Sequence, residues 1–248
     1  MDHPIRTVPS LYVQRTGEQS VKVALTLTRA RDRVVVRLTG GCGAMAAADA
    51  AGMADLFCAA FSGFGGAMLF GGTRMVARAD PRVVVPGITE IPPLVRAQNP
   101  CVILGVVPKT GDLRLAEIGM VVSDDAAGYV TIVHPDQDVC VVVQPSADGI
   151  ATWDDEARVC REIATELRTS AGWQSVLIAY NGGGTTEREI RAWAPHAPVI
   201  LIKGSGRAAD CLGSDAAFLA AHPQVRAVPK DRQALRTALI VCGVLPVS

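Results

Sequence analysis

Short unbroken apolar runs alternate along the chain with segments whose apolar residues recur at helical spacing. RVVVRLTG (Arg33–Gly40), the centre of SGFGGAMLFGGT (Ser62–Thr73), PCVILGVVP (Pro100–Pro108), SVLIAY (Ser175–Tyr180) and PVILIKG (Pro198–Gly204) are apolar almost throughout. Such runs predict strands buried on both faces, as in a parallel sheet. VKVALTLT (Val21–Thr28) reads as a strand ahead of them and VRAVP (Val225–Pro229) as a short strand behind. From Lys109 to Gln144 the pattern gives three shorter candidates, EIGMVVS, GYVTIVH and DVCVVVQ, separated by Asp and Gly turns.

Helices are expected over Ala44–Phe61, Trp153–Ala171, Glu187–Trp193 and Asp231–Val241, with another opening at Ser205–Leu212. The second begins with Asp154, Asp155 and Glu156, which suit a helix N-terminus, and ends with Arg168 before Gly172 as a C-cap. Strand, glycine turn and helix in repetition predict an α/β fold, a Rossmann-like, doubly wound and mostly parallel sheet flanked by helices. One such domain is expected over residues 21–248, with residues 1–20 as an N-terminal extension.

Composition narrows the function classes. With 24 basic and 24 acidic side chains in 248 residues, the formal charge is +0, which argues against a nucleic-acid-binding surface. The seven cysteines are odd in number and form no C-x-x-C pair, so reduced structural thiols are expected. The four histidines show no ligand spacing, and neither a metal nor a cofactor is expected. MDHPIRTVPS has no apolar signal core, and the apolar stretch from Cys42 to Phe70 is mostly Ala and Gly. A cytoplasmic protein without membrane insertion is the expectation.

Three glycine clusters fall after expected strands: Gly71-Gly72-Thr73, Gly182-Gly183-Gly184-Thr185-Thr186 and Gly204-Ser205-Gly206-Arg207. Glycine lets backbone amides approach an anion, and a following helix N-terminus favours negative charge. Arg207 adds a two-pronged donor. Neither a P-loop nor a G-x-G-x-x-G fingerprint with its acidic residue is present. Other roles compete at each position. Glu189 can face solvent in a first helical turn, Thr185 and Thr186 can be an N-cap, and Asp210 is expected to pair with Arg207 across one turn. Lys203, His134 and His196 are expected at the surface, and Trp153, Trp173 and Trp193 in the core or an interface.

NGGGTTEREIRAW followed by PVILIKGSGRAADCL resembles the SLOG superfamily, nearest the branch found in TRPM channels and bacterial conflict systems. Gly204, Ser205, Gly206, Arg207, Ala208, Ala209 and Asp210 match that branch's G-S-G-R-A-A/S-D signature throughout, and Phe70–Thr73 resembles its first glycine turn. The resemblance is specific only in the final third. It implies a nucleotide-derived, ADP-ribose-like ligand and a sensor that passes its state to a separate effector protein or to a homo-oligomer. The LOG enzymes of the same superfamily carry P-G-G-x-G-T-x-x-E. Here Asn181 replaces the Pro, Gly182 and Gly183 match, Thr185 replaces the third Gly, and Thr186 and Glu189 match. This implies Glu189 as the catalytic carboxylate if the chain is a nucleotide N-glycosidase, although the upstream Arg-Lys pair of those enzymes is missing. An interaction module without a ligand is the third reading.

Overall fold

Parity along one strand organises the molecule. In β2 (Val34–Gly40), Val34, Val36 and Leu38 enter one core cluster while Val35 enters the other. The computed structural model describes residues 10–15, 29–41, 45–116, 119–124, 127–144 and 149–247. The expected strand Val21–Thr28 and Cys42 lie outside them.

Eight strands form the main sheet: β1 (Ser10–Arg15), β2, β3 (Ala67–Phe70), β5 (Val102–Pro108), β9 (Val139–Gln144), β10 (Gln174–Tyr180), β11 (Val199–Lys203) and β12 (Val225–Pro229). Their order is β1-β9-β5-β3-β2-β10-β11-β12, and every pairing is parallel. This is the expected Rossmann-like α/β fold. β1 lies within residues 1–20, expected as an extension, and it pairs with β9 at the sheet edge.

Helices α1 (Ala47–Ala60), α2 (Ile91–Arg96) and α7 (Arg232–Val241) cover one face through Phe57, Ile91 and Leu235. Helices α3 (Trp153–Ala171), α4 (Gly184–Trp193), α5 (Arg207–Ser214) and α6 (Ala216–Ala221) cover the other through Val159, Trp193, Leu212 and Phe218. α3 is capped as its sequence suggests. Thr152 and Asp155 form a capping box, and Gly172 closes the helix at φ 66°.

The middle of the chain departs from the expectation. Only DVCVVVQ, as β9, joins the main sheet. β4 (Thr73–Ala77), β6 (Arg114–Ala116), β7 (Gly119–Asp124) and β8 (Tyr129–Val133) build a separate antiparallel sheet in the order β4-β8-β7-β6. Its small core is Val76, Val121, Val130 and Ile132. β8 alternates buried with part-exposed positions, which suits a sheet covered on one side.

His134, expected at the surface, is fully buried at the end of β8. Its ring packs edge-on against Phe70, and Nδ1 accepts the Asp136 amide at 3.1 Å. Nε2 lies 3.4 Å from Glu90, which Arg74 also engages at 2.7 Å. Burial pushes the Glu90 carboxyl up, but His134 and Arg74 outweigh it and hold it below the ordinary glutamate value. His196 and Lys203 are exposed as expected, while Trp173 and Trp193 are core residues. The six cysteines among the described residues are free.

Candidate functional site

The chain winds outward in both directions from the β2/β10 pair. β2 leads through α1 to β3 on one side, and β10 leads through α4 to β11 on the other. Such a reversal of strand order opens a crevice beyond the carboxyl ends of the two strands, where ligands of open α/β sheets bind. Gly40-Gly41 leaves β2 there, and Asn181-Gly182-Gly183 leaves β10. Gly40 pairs with Tyr180 in register, and a Cβ on Gly40 would lie 2.2 Å from the Tyr180 carbonyl oxygen. A Cβ on Gly41 would lie 3.7 Å from the Gly182 amide nitrogen.

Two of the expected glycine clusters meet at this crevice and hydrogen-bond each other. The Asn181 amide donates to Ser205 Oγ at 2.8 Å. The amides of Ala208 and Ala209, in the first turn of α5, donate to the carbonyls of Gly182 at 3.2 Å and Asn181 at 3.1 Å. Asp210 does not pair with Arg207 as expected. Its carboxylate accepts the Gly204 amide at 2.6 Å and the Gly206 amide at 3.1 Å. The amides of Gly204 and Gly206 are thus engaged within the protein.

The start of α4 is different. Its N-cap is Gly183, with no side-chain cap, and first-turn amides have no intrahelical partner. A Cβ on Gly183 would lie 2.8 Å from Nη2 of Arg207. Arg207 is exposed and forms no ion pair among the described residues. Arg207 and Asn181 are the two non-glycine residues with positive φ among those described, at 51° and 60°. Asparagine tolerates that region, whereas arginine is strained in it. Strained backbone concentrates at functional sites. Thr186 is buried against Gly182, whose Cβ would meet it at 2.5 Å, and the Thr185 hydroxyl accepts from Arg188 at 3.2 Å.

The third cluster has a different setting. Gly72, at φ 58°, packs so closely on β5 that a Cβ would lie 2.9 Å from the Val106 nitrogen. Its carbonyl accepts from the His134 amide at 2.8 Å. Thr73 is buried as the first residue of β4, paired with Val133. Gly71 is half-buried, and the nearest atom to its Cβ position is Glu156 Oε1, at 4.0 Å.

Glu156 leads to a buried charge cluster beneath the crevice. Arg37, on the α3/α4 face of β2, is 3% exposed. Its Nε donates to Glu189 Oε1 at 2.7 Å and its Nη2 to Glu189 Oε2 at 3.2 Å. Nη2 also reaches Glu156 Oε2 at 3.2 Å, and Nη1 stands 2.9 Å from Glu156 Oε1. The Cys160 thiol donates to Glu156 Oε1 at 3.1 Å. Glu189 therefore faces inward rather than solvent. Glu156, whose place in the first turn suggested a dipole contact, turns inward as well. Burial pushes the Glu156 carboxyl above its ordinary value, with Glu189 adding to the shift and Arg37 opposing it. Burial likewise drives the Cys160 thiol well up.

A family model described as "SLOG in TRPM, prokaryote" matches residues 93–239. The chain belongs to this family. The SLOG match takes in β5 through most of α7, so the middle of the chain, where no diagnostic motif is readable by eye, falls within it. It includes Glu156, Glu189 and the two glycine turns that meet at the crevice. Arg37, Gly40-Gly41 and Gly71-Gly72-Thr73 precede it. No curated protein matches the chain.

Sequence reasoning missed Arg37, Glu156 and Gly40-Gly41 as residues of the crevice and of the charge cluster beneath it. The signal was available. Arg37 interrupts a β-branched run at a position of core parity. Glu156 shares the inward stripe of α3 with Val159, Cys160 and Ile163, as Glu189 shares that of α4 with Thr186, Ile190 and Trp193. Among the described residues there is no His/Cys/Asp/Glu group suited to a metal, and no helix is long and apolar enough to cross a membrane.

Proposed function

We propose that the protein binds a nucleotide-derived, ADP-ribose-like ligand at the β2/β10 crevice and acts as a sensor module, its output delivered through a separate effector protein or self-association. The observation that carries this reading is the pairing of the uncapped N-terminus of α4 with Arg207, held beside Gly183 in a strained conformation without an ion-pair partner among the described residues. A phosphate bound there meets backbone amides, the positive end of a helix and a guanidinium together. Gly71, Gly72, Thr73, Gly182, Gly184, Thr185, Thr186, Gly204, Ser205 and Gly206 complete the proposed site. Gly204 and Gly206 shape the turn, since their amides serve Asp210.

The test is isothermal titration calorimetry with ADP-ribose, cyclic ADP-ribose, AMP and ADP. Binding of at least one is expected, weakened in Arg207→Ala by roughly 1.5–3 kcal/mol, as for a lost charge-assisted hydrogen bond. Absence of heat with all four sinks the reading. Catalysis of N-glycosidic hydrolysis by Glu189 is the alternative. Both Glu189 oxygens are engaged by Arg37 behind a buried wall, which favours binding over hydrolysis. Free base released from a nucleoside monophosphate, and lost in Glu189→Gln, would reverse that preference.

A further inference from the structure

One guanidinium and two carboxylates meet beneath the crevice. Arg37 comes from β2, Glu156 and Cys160 from α3, and Glu189 from α4; among the described residues Arg37, Glu189 and Cys160 are the charged or titratable groups that act on Glu156. With both acids ionised the cluster carries one net negative charge, which a low-dielectric interior opposes. The guanidinium is shared unevenly. Glu189 takes one whole edge of it, at 2.7 and 3.2 Å. Glu156 receives a single 3.2 Å hydrogen bond from Nη2, while Nη1 stands 2.9 Å away without hydrogen-bond geometry. Glu156 is also the acid that reaches the glycine turn, 4.0 Å from the Cβ position of Gly71.

We infer that binding of an anionic ligand at the glycine turns is linked to the uptake of one proton by the Glu156 carboxylate. The inference rests on the proposed ligand site. A phosphate seated against Gly71 faces Glu156 across the space that a side chain would fill, and two negative charges so close cannot both persist where water is excluded. A proton from solvent adds to a carboxylate oxygen; no other bond forms or breaks. The resulting hydroxyl can donate to the ligand, and Arg37 and Glu189 remain as a neutral pair. Burial of Glu156 works in the same direction. Affinity for the anion should then rise as pH falls, by up to about tenfold per pH unit.

The experiment is calorimetry on the full chain with ADP-ribose between pH 6 and 8, in buffers of different ionisation enthalpy. Its diphosphate does not titrate there, unlike a phosphomonoester with a second pKa of about 6. Uptake approaching one proton per ligand is expected, with none in Glu156→Gln, whose affinity should not vary with pH. Gly71→Ala, whose methyl group would meet Glu156 Oε1 at 4.0 Å and nothing closer, should weaken binding at every pH without altering the melting temperature. Heat that is independent of buffer overturns the linkage alone. So does uptake that persists in Glu156→Gln, which would assign the proton to another group, or unchanged affinity in Gly71→Ala. No heat at any pH removes the ligand site and the linkage with it.

Discussion

Asp210 occupies the anion position of its own glycine turn: its two carboxylate oxygens accept the amides of Gly204 and Gly206, at 2.6 and 3.1 Å. The turn most similar to a phosphate cradle in sequence is satisfied from within the protein. Asp210→Ala should leave two amides without their acceptor. A loss of about 1–3 kcal/mol in urea unfolding is expected, with weaker ligand binding as the turn loosens. Asp210→Asn, which keeps one acceptor oxygen, should recover part of both. Equal stability of wild type and Asp210→Ala would show that water replaces the carboxylate without cost.

Arg207 sets binding against stability. At φ 51° a side chain costs roughly 1–2 kcal/mol that glycine does not. Arg207→Gly should raise or preserve the melting temperature while weakening ADP-ribose binding as much as Arg207→Ala does. A variant that is destabilised and binds normally would make Arg207 a structural residue.

Arg37 is the residue whose loss should be felt most. Arg37→Met leaves Glu156 and Glu189 facing each other without a counter-charge. Breaking a buried pair in this way typically costs about 3–5 kcal/mol. Chemical denaturation reads the effect directly, and a change under 1 kcal/mol would mean that the carboxylates find water.

The pH dependence of stability has two limbs. Glu156 has its carboxyl raised, so the folded state holds the proton more tightly than the unfolded chain. Its contribution is fully present below the ordinary glutamate value, about 4.3, and is lost as pH rises through the raised folded value. Glu90 has its carboxyl lowered. Its contribution is present above the ordinary value and is lost as pH falls through the depressed one. Unfolding free energies measured from pH 3 to 8 should therefore pass through a maximum. Glu156→Gln should flatten the alkaline limb and leave the acid limb in place.

Much of the framework was legible in the sequence because buried parallel strands leave a plain trace. Arg33–Gly40, Pro100–Pro108, Ser175–Tyr180, Pro198–Gly204 and Val225–Pro229 each match a strand of the main sheet to within two residues at either end. The antiparallel strands of the middle leave a weaker trace, since one face of each is half-exposed. Sequence also told where the glycine turns lie but not where their amides point. That Gly204 and Gly206 serve Asp210, while Gly183 opens a helix without a cap, depends on side-chain reach across elements. Buried charge was the least legible part. Glu156 sits in the first turn of its helix and Glu189 in the second, near a helix N-terminus where an acid is ordinary, and only the inward stripe of each helix and the partner 119 or 152 residues away give them another meaning.

The pairing of β2 with β10 also bears on how the chain reaches its native state. Gly40 and Tyr180 are register partners separated by about 140 residues, and contacts so distant along the chain close late and slowly. During synthesis β2 must wait, with one edge unpaired, until β10 has emerged about 140 residues later. The crevice cannot be assembled by either half alone. A molecule that binds there would act as a clasp on a late closure of the fold, so its presence should be registered first as slower unfolding.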